Sequence, residues 1–114
     1  MGIMLQQLAT ALSITATGQQ TPVDMTTSPF QGGQNKNAIL LLQNAIAGGG
    51  VVTIQGNPLI QPNAPASGDA NWFTIATLNA ASLPQQEIVL AQWMAVNITT
   101  VGTGTVSIAL LGVQ

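Results

Sequence analysis

From Ala38 onward, apolar residues come in short runs that alternate with polar ones and are punctuated by Gly, Pro and Asn. A two-residue period marks a half-buried β-strand, because successive side chains on a strand point to opposite faces. Residues 38 to 46 are an apolar run broken at Gln43-Asn44, and Val51-Val52-Thr53-Ile54-Gln55 is a β-branched run. Gly48-Gly49-Gly50 between them permits the positive φ values of a reversal, which predicts a hairpin. Trp72 to Leu78 alternates Phe73 and Ile75 against Thr74 and Ala76, and Glu87 to Leu90 is a short strand beyond Pro84. Gln92 to Thr100 places Met94, Val96 and Ile98 on one face, opposite Trp93, Ala95, Asn97 and Thr99. Thr105 to Leu110 does the same with Val106, Ile108 and Leu110. With Gly102-Thr103-Gly104 joining them, these last two runs carry the strongest hairpin signal in the chain.

Other segments are less regular. Pro58, Pro62, Pro65 and Gly68 predict a loop, since prolines do not fit a central strand. Near the N-terminus Met4, Leu8 and Leu12 recur every four residues, as on a helical turn, while Leu8, Leu12, Ile14 and Ala16 fit a strand. The β-branched Ile14-Thr15 pulls toward a strand at about 11 to 17. Residues 18 to 37 hold Pro22, Pro29, Gly32 and Gly33 among many amides and read as a long loop or arm. Seven or eight strands without an intervening amphipathic helix predict an all-β, single-domain, jelly-roll-like β-sandwich. Residues 1–35 would supply an N-terminal arm, first strand and long loop, and residues 36–114 the main body.

Charge changes the picture more than composition does. The 114 residues are 46% hydrophobic, which is ordinary, but only 4% are charged: Asp24, Lys36, Asp69 and Glu87. A typical soluble domain carries about 25%. A net charge of −2 gives little self-repulsion. Uncharged polar groups are also much less costly to cover than ions are. Such a surface suits contact with neighbouring molecules. One Lys and no Arg make nucleic acid and anionic membranes poor partners. The longest apolar stretch, Ala38 to Leu42, is far short of a membrane-spanning helix.

Catalytic equipment is sparse. Without His or Cys the chain lacks the commonest general base, thiolate nucleophiles and most zinc ligands, so neither enzyme activity nor a cofactor is expected. Asp69 and Glu87 could in principle form a carboxylate pair. The simpler reading makes Asp69 a turn residue bonded to its own backbone and Glu87 a solvated edge charge. Gly48-Gly49-Gly50 opens a strand rather than a helix and lacks a following Lys-Ser/Thr, so it is no phosphate cradle.

The segments Asn37 to Asn44, Val52 to Gly56, Trp72 to Leu78, Gln92 to Thr100 and Gly102 to Val106 together resemble the small decoration (cement) proteins of tailed-bacteriophage capsids. The resemblance covers about residues 36 to 114. It implies a jelly-roll protein on the outer capsid surface of the virion, a homodimer or homotrimer that bridges neighbouring copies of the major capsid protein. Candidate contacts are the apolar Ile3, Met4, Leu5 and Leu8 of the arm, and Trp72 and Trp93, taken as exposed aromatics. The arm would either dock on a neighbour or form the first strand or helix of the chain's own core. An alternative function for the same sandwich is a host-surface or carbohydrate-binding module of a tail fibre or baseplate, with the tryptophans as a sugar platform.

Overall fold

A computed structural model describes residues 3–26 and 37–113. Nine strands follow in order: β1 (Ile3–Ser13), β2 (Gly18–Gln19), β3 (Val23–Asp24), β4 (Asn37–Leu42), β5 (Val51–Asn57), β6 (Phe73–Leu78), β7 (Gln85–Val89), β8 (Trp93–Thr100) and β9 (Thr105–Val113). They form two antiparallel sheets. Sheet A has the order β1-β9-β4-β7; sheet B has β2-β8-β5-β6, with β3 also paired to β8. The expected all-β sandwich is therefore what the chain forms.

The strand pairing is nested. β5 pairs with β6, β4 with β7, β3 and β2 with β8, and β1 with β9. The chain is thus one long two-stranded ribbon, closed at residues 58–72 and rolled up so that β4 also meets β9 and β5 also meets β8. This is the strand arrangement of a jelly roll.

Rolling the ribbon overturns both expected hairpins. β4 and β5 lie in different sheets, as do β8 and β9. The glycine-rich segments 48–50 and 102–104 are therefore arches between sheets, not tight turns within one. They meet at one end of the sandwich, where the Ala47 carbonyl accepts hydrogen bonds from Thr103 N at 3.1 Å and Gly50 N at 3.3 Å. The Ile14 carbonyl accepts from Gly102 N at 2.8 Å. Proximity in sequence lost to burial: each strand had to put its apolar face against the opposite sheet.

The alternation is as expected in β8 and β9, whereas in β6, where the register with β5 shifts, Ile75 and Ala76 both pack against the core and Phe73 is exposed. Val106, Ile108 and Leu110 of β9 and Leu40 and Leu42 of β4 face Met94, Val96 and Ile98 of β8 and Val52 and Ile54 of β5 across the core. Ile14 and Ile46 close its arch end, both buried.

The N-terminal region differs more. Residues 3–13 are not an arm but an eleven-residue edge strand; of the expected strand at 11–17, residues 11–13 end this earlier one and residues 14–17 belong to no strand. The four-residue recurrence of Met4, Leu8 and Leu12 does not mark a helix. Two register shifts in the β1–β9 ladder change which residues face inward, so the two-residue period is broken. Ala11 takes φ +47° there, and its N–H donates to Ser107 Oγ at 2.9 Å instead of to a ladder carbonyl. Within the predicted loop of residues 18 to 37, Gly18–Gln19 and Val23–Asp24 pair with β8. Lys36 lies outside the described residues.

Candidate interaction surface

Residues directly opposite across antiparallel strands share a face, so the register defines what each sheet presents outward. On sheet A, one outward row runs Leu5 (β1), Leu111 (β9), Ile39 (β4) and Glu87 (β7). The next row runs Gln7, Ala109, Leu41 and Gln85. Val89, opposite Asn37, extends the face at the far edge. Leu5 is 51% and Val89 56% exposed, and Ile39, Leu41 and Leu111 are half-buried. Between the strands lies an open groove of about 220 Å³, lined by Asn37, Ala38, Ile39, Glu87, Leu111 and Gly112.

Sheet B presents a different exterior. Its outward positions include Thr53, Gln55 and Asn57 of β5, Asn97 of β8 and Gln19 of β2. These polar groups largely satisfy one another: Gln19 Nε2 donates to Gln55 Oε1 at 2.8 Å, and Thr53 Oγ1 to the Asn97 carbonyl at 3.3 Å. Sheet B's exterior is therefore polar and internally bonded beside the covered Trp93 and Ala95, while sheet A's sets Leu5, Leu111, Ile39, Leu41 and Val89 among Gln7, Gln85, Asn37 and one carboxylate, Glu87.

The sequence-derived contact residues are divided by the fold. Leu5 stands on the exposed face of sheet A beside Leu111. Ile3 and Met4 are placed by backbone register alone, opposite Val113 and Gly112. Leu8 is in the chain's own core. Trp93 is not an exposed aromatic: only 5% of its surface remains accessible, and its Nε1 is a buried donor without a hydrogen-bond partner. It points outward from sheet B, on the face opposite Met94, and is nonetheless covered. Trp72 is half-buried, and its Nε1 donates to the Ala66 carbonyl at 2.8 Å. A sugar platform of two exposed tryptophans is therefore not present.

Asp69 organises the 58–72 loop. Its Oδ1 accepts from Asn71 N at 2.8 Å, Asn71 Nδ2 at 3.0 Å and Asn57 Nδ2 at 3.3 Å. The Asn71 backbone bond is the main reason its carboxyl is held below its ordinary value; desolvation opposes it, and the Asn71 and Asn57 amide side chains add smaller lowering effects. This is the turn role expected from sequence, and all three donors converge on Oδ1. Glu87 faces out of sheet A instead. Among the described residues, no group of three or more His, Cys, Asp or Glu side chains is placed to hold a metal.

The outward residues of sheet A, Ile39, Leu41, Leu111 and Val89, do not figure among the sequence-derived contacts. A signal existed: Ile39-Leu40-Leu41-Leu42 is apolar at every position, and a strand apolar on both sides must cover both. Comparison of the chain with family models, curated proteins and solved structures finds no match.

Proposed function

We propose that this chain is a structural virion protein that decorates the outside of a tailed-phage capsid and bridges neighbouring major-capsid subunits, stabilising the shell. The observation that carries the reading is the set of apolar residues on the outside of sheet A: Leu5 and Val89, both more than half exposed, with Ile39, Leu41 and Leu111 between them. A slab with one adhesive side suits a protein laid onto a surface. The scarcity of ions supports the same role, because uncharged contacts form with little desolvation cost and little dependence on salt. The rolled-ribbon sandwich agrees with the fold that the resemblance implies. Each copy would add contact area across a seam. Many modest contacts together resist rupture, because several must break at once.

The test is to mix the purified, folded protein with capsids that lack it and to follow co-sedimentation. Saturable binding with a fixed number of copies per shell, and shells that withstand higher temperature when occupied, are expected. Absence of binding by the folded protein would refute the role. The tail-fibre alternative draws less support, since Trp93 is covered and Trp72 alone remains for stacking on a sugar.

A further inference from the structure

We propose that the free edge of β7 pairs antiparallel with β7 of a second copy, in the register that sets Gln85 opposite Glu87, so that sheet A runs on across a twofold axis. The inference goes beyond the shell role and does not depend on it. β7 ends sheet A, and among the described residues no strand lies beyond it. Leu42 N donates to the Pro84 carbonyl at 2.8 Å, one step along the ladder from the partners Leu41 and Gln85. Bonded and non-bonded pairs alternate in an antiparallel ladder. Gln86 and Ile88 therefore turn their backbone groups toward β4, while Gln85, Glu87 and Val89 turn theirs to the open edge. The side chains of these three are exposed. Such a row of donors and acceptors, repeating at every second residue, is matched by another extended strand.

The other edges are blunted, as natural sheet edges commonly are. β1 carries two register shifts and the positive φ of Ala11, β2 and β3 are two residues each, and β6 has Ile75 skipped in its ladder. Among the described edge strands, β7 is the one of more than two residues that keeps an unbroken register. Its sequence then selects how two copies meet. Setting Glu87 against the second copy's Glu87 would place like charges directly opposite, which is unfavourable. Pairing Glu87 with Val89 would require Ala91 to continue the edge opposite Gln85, but Leu90 and Ala91 turn in to pack against the core. Centring the pair on Gln86 instead puts Gln85 opposite Glu87, an amide donor beside a carboxylate, twice by symmetry. It also brings Leu83, 70% exposed, level with Val89 of the other copy, 56% exposed. The edge is thus complementary to itself, and each copy supplies both halves of every contact.

The test uses the protein alone. Sedimentation equilibrium of wild type over a concentration series should show monomer and dimer in exchange. In the proposed register Gln86 faces Gln86 of the other copy as a non-bonded pair, with Cα atoms about 4.5 Å apart and within reach of a disulfide. The two copies of Glu87 are offset by two residues and are too far apart to bridge. The chain has no cysteine of its own, so oxidised Gln86→Cys should run as a covalent dimer in non-reducing electrophoresis and Glu87→Cys as a monomer. Glu87→Pro removes an outward N–H without touching the bonds to β4, and should weaken dimerisation about tenfold or more through the loss of two symmetric hydrogen bonds. Val89→Lys should weaken it as well. Urea midpoints check that each variant folds, and if Glu87→Pro does not, the cross-linking pair decides. A wild type that stays monomeric or forms a trimer overturns the inference. So does cross-linking through Glu87→Cys rather than Gln86→Cys, or a dimer that persists in folded Glu87→Pro and Val89→Lys. None of these results bears on shell binding, which is measured separately.

Discussion

Gly102 shows how a single residue can hold two connections together. A Cβ placed there would strike the Ala47 carbonyl and come within 2.8 Å of Ile14 Cδ1 and 2.9 Å of Gly50 Cα. Two of these are backbone atoms of the facing arch, which cannot rotate away as a side-chain tip can. Gly102→Ala should therefore cost about 1–3 kcal/mol, the range for forcing atoms into a filled space. Gly68 is the control, with nothing near its ideal Cβ and no positive φ. Gly68→Ala should leave stability unchanged or slightly raised, because the unfolded chain loses freedom. Urea unfolding of both variants checks this, and equal midpoints would show that the arches are not in close contact.

At the scale of elements, the strands were legible and their partners were not. Alternation in 92–100 and 105–110 correctly marks two strands and their buried faces, because periodicity reports the environment of a residue rather than which strand lies beside it. A three-residue loop over 102–104 would bring Thr99 opposite Ser107. The fold instead sends them out of opposite sides of the sandwich, since Ile98 and Ile108 both point inward. By contrast, Leu41 and Ala109 are register partners on β4 and β9. Register partners have Cα atoms about 4.5–5.5 Å apart, within reach of a disulfide. The chain has no cysteine of its own. Oxidising Leu41→Cys/Ala109→Cys should thus give an intramolecular bond, and Thr99→Cys/Ser107→Cys should give none. Non-reducing electrophoresis and mass spectrometry would reveal the reverse result, which would restore the hairpin. Among the described residues the hairpin that does form, β5–β6, was hidden by its long proline-rich loop.

For the whole molecule, the shortage of ionisable groups sets the response to pH. His, Cys and Tyr are all absent, so no side-chain type present ordinarily titrates between about pH 5 and 9. Stability changes with pH only where folding changes proton binding. The urea midpoint should accordingly stay flat across that window. Asp69 belongs to the acid side. Its folded carboxyl titrates below the ordinary 3.8, so its contribution is present above that value and is lost as pH falls through the lower folded one. Asp69→Asn keeps an amide oxygen for the turn and removes the titration, so the gap between wild type and variant should narrow in acid. A steep slope near neutrality, or a gap that does not change, would contradict this account. The candidate surface was legible only in part: the ion-poor composition pointed toward an interaction surface, but the candidate face came from the register, which the sequence-derived choice of Leu8 and Trp93 could not anticipate.

Taken alone, the amino-acid order determined that this chain forms short strands, which residues of the later strands point inward, and that few ions would meet water. These are local matters of side-chain chemistry and period. Tertiary structure decided that successive strands change sheets, that β1 is part of sheet A, and that Leu5, Ile39 and Leu111 line up outside with Glu87. The reason is that strand pairing is a competition among many alternatives of similar local quality, resolved only when both sheets bury their apolar faces at once.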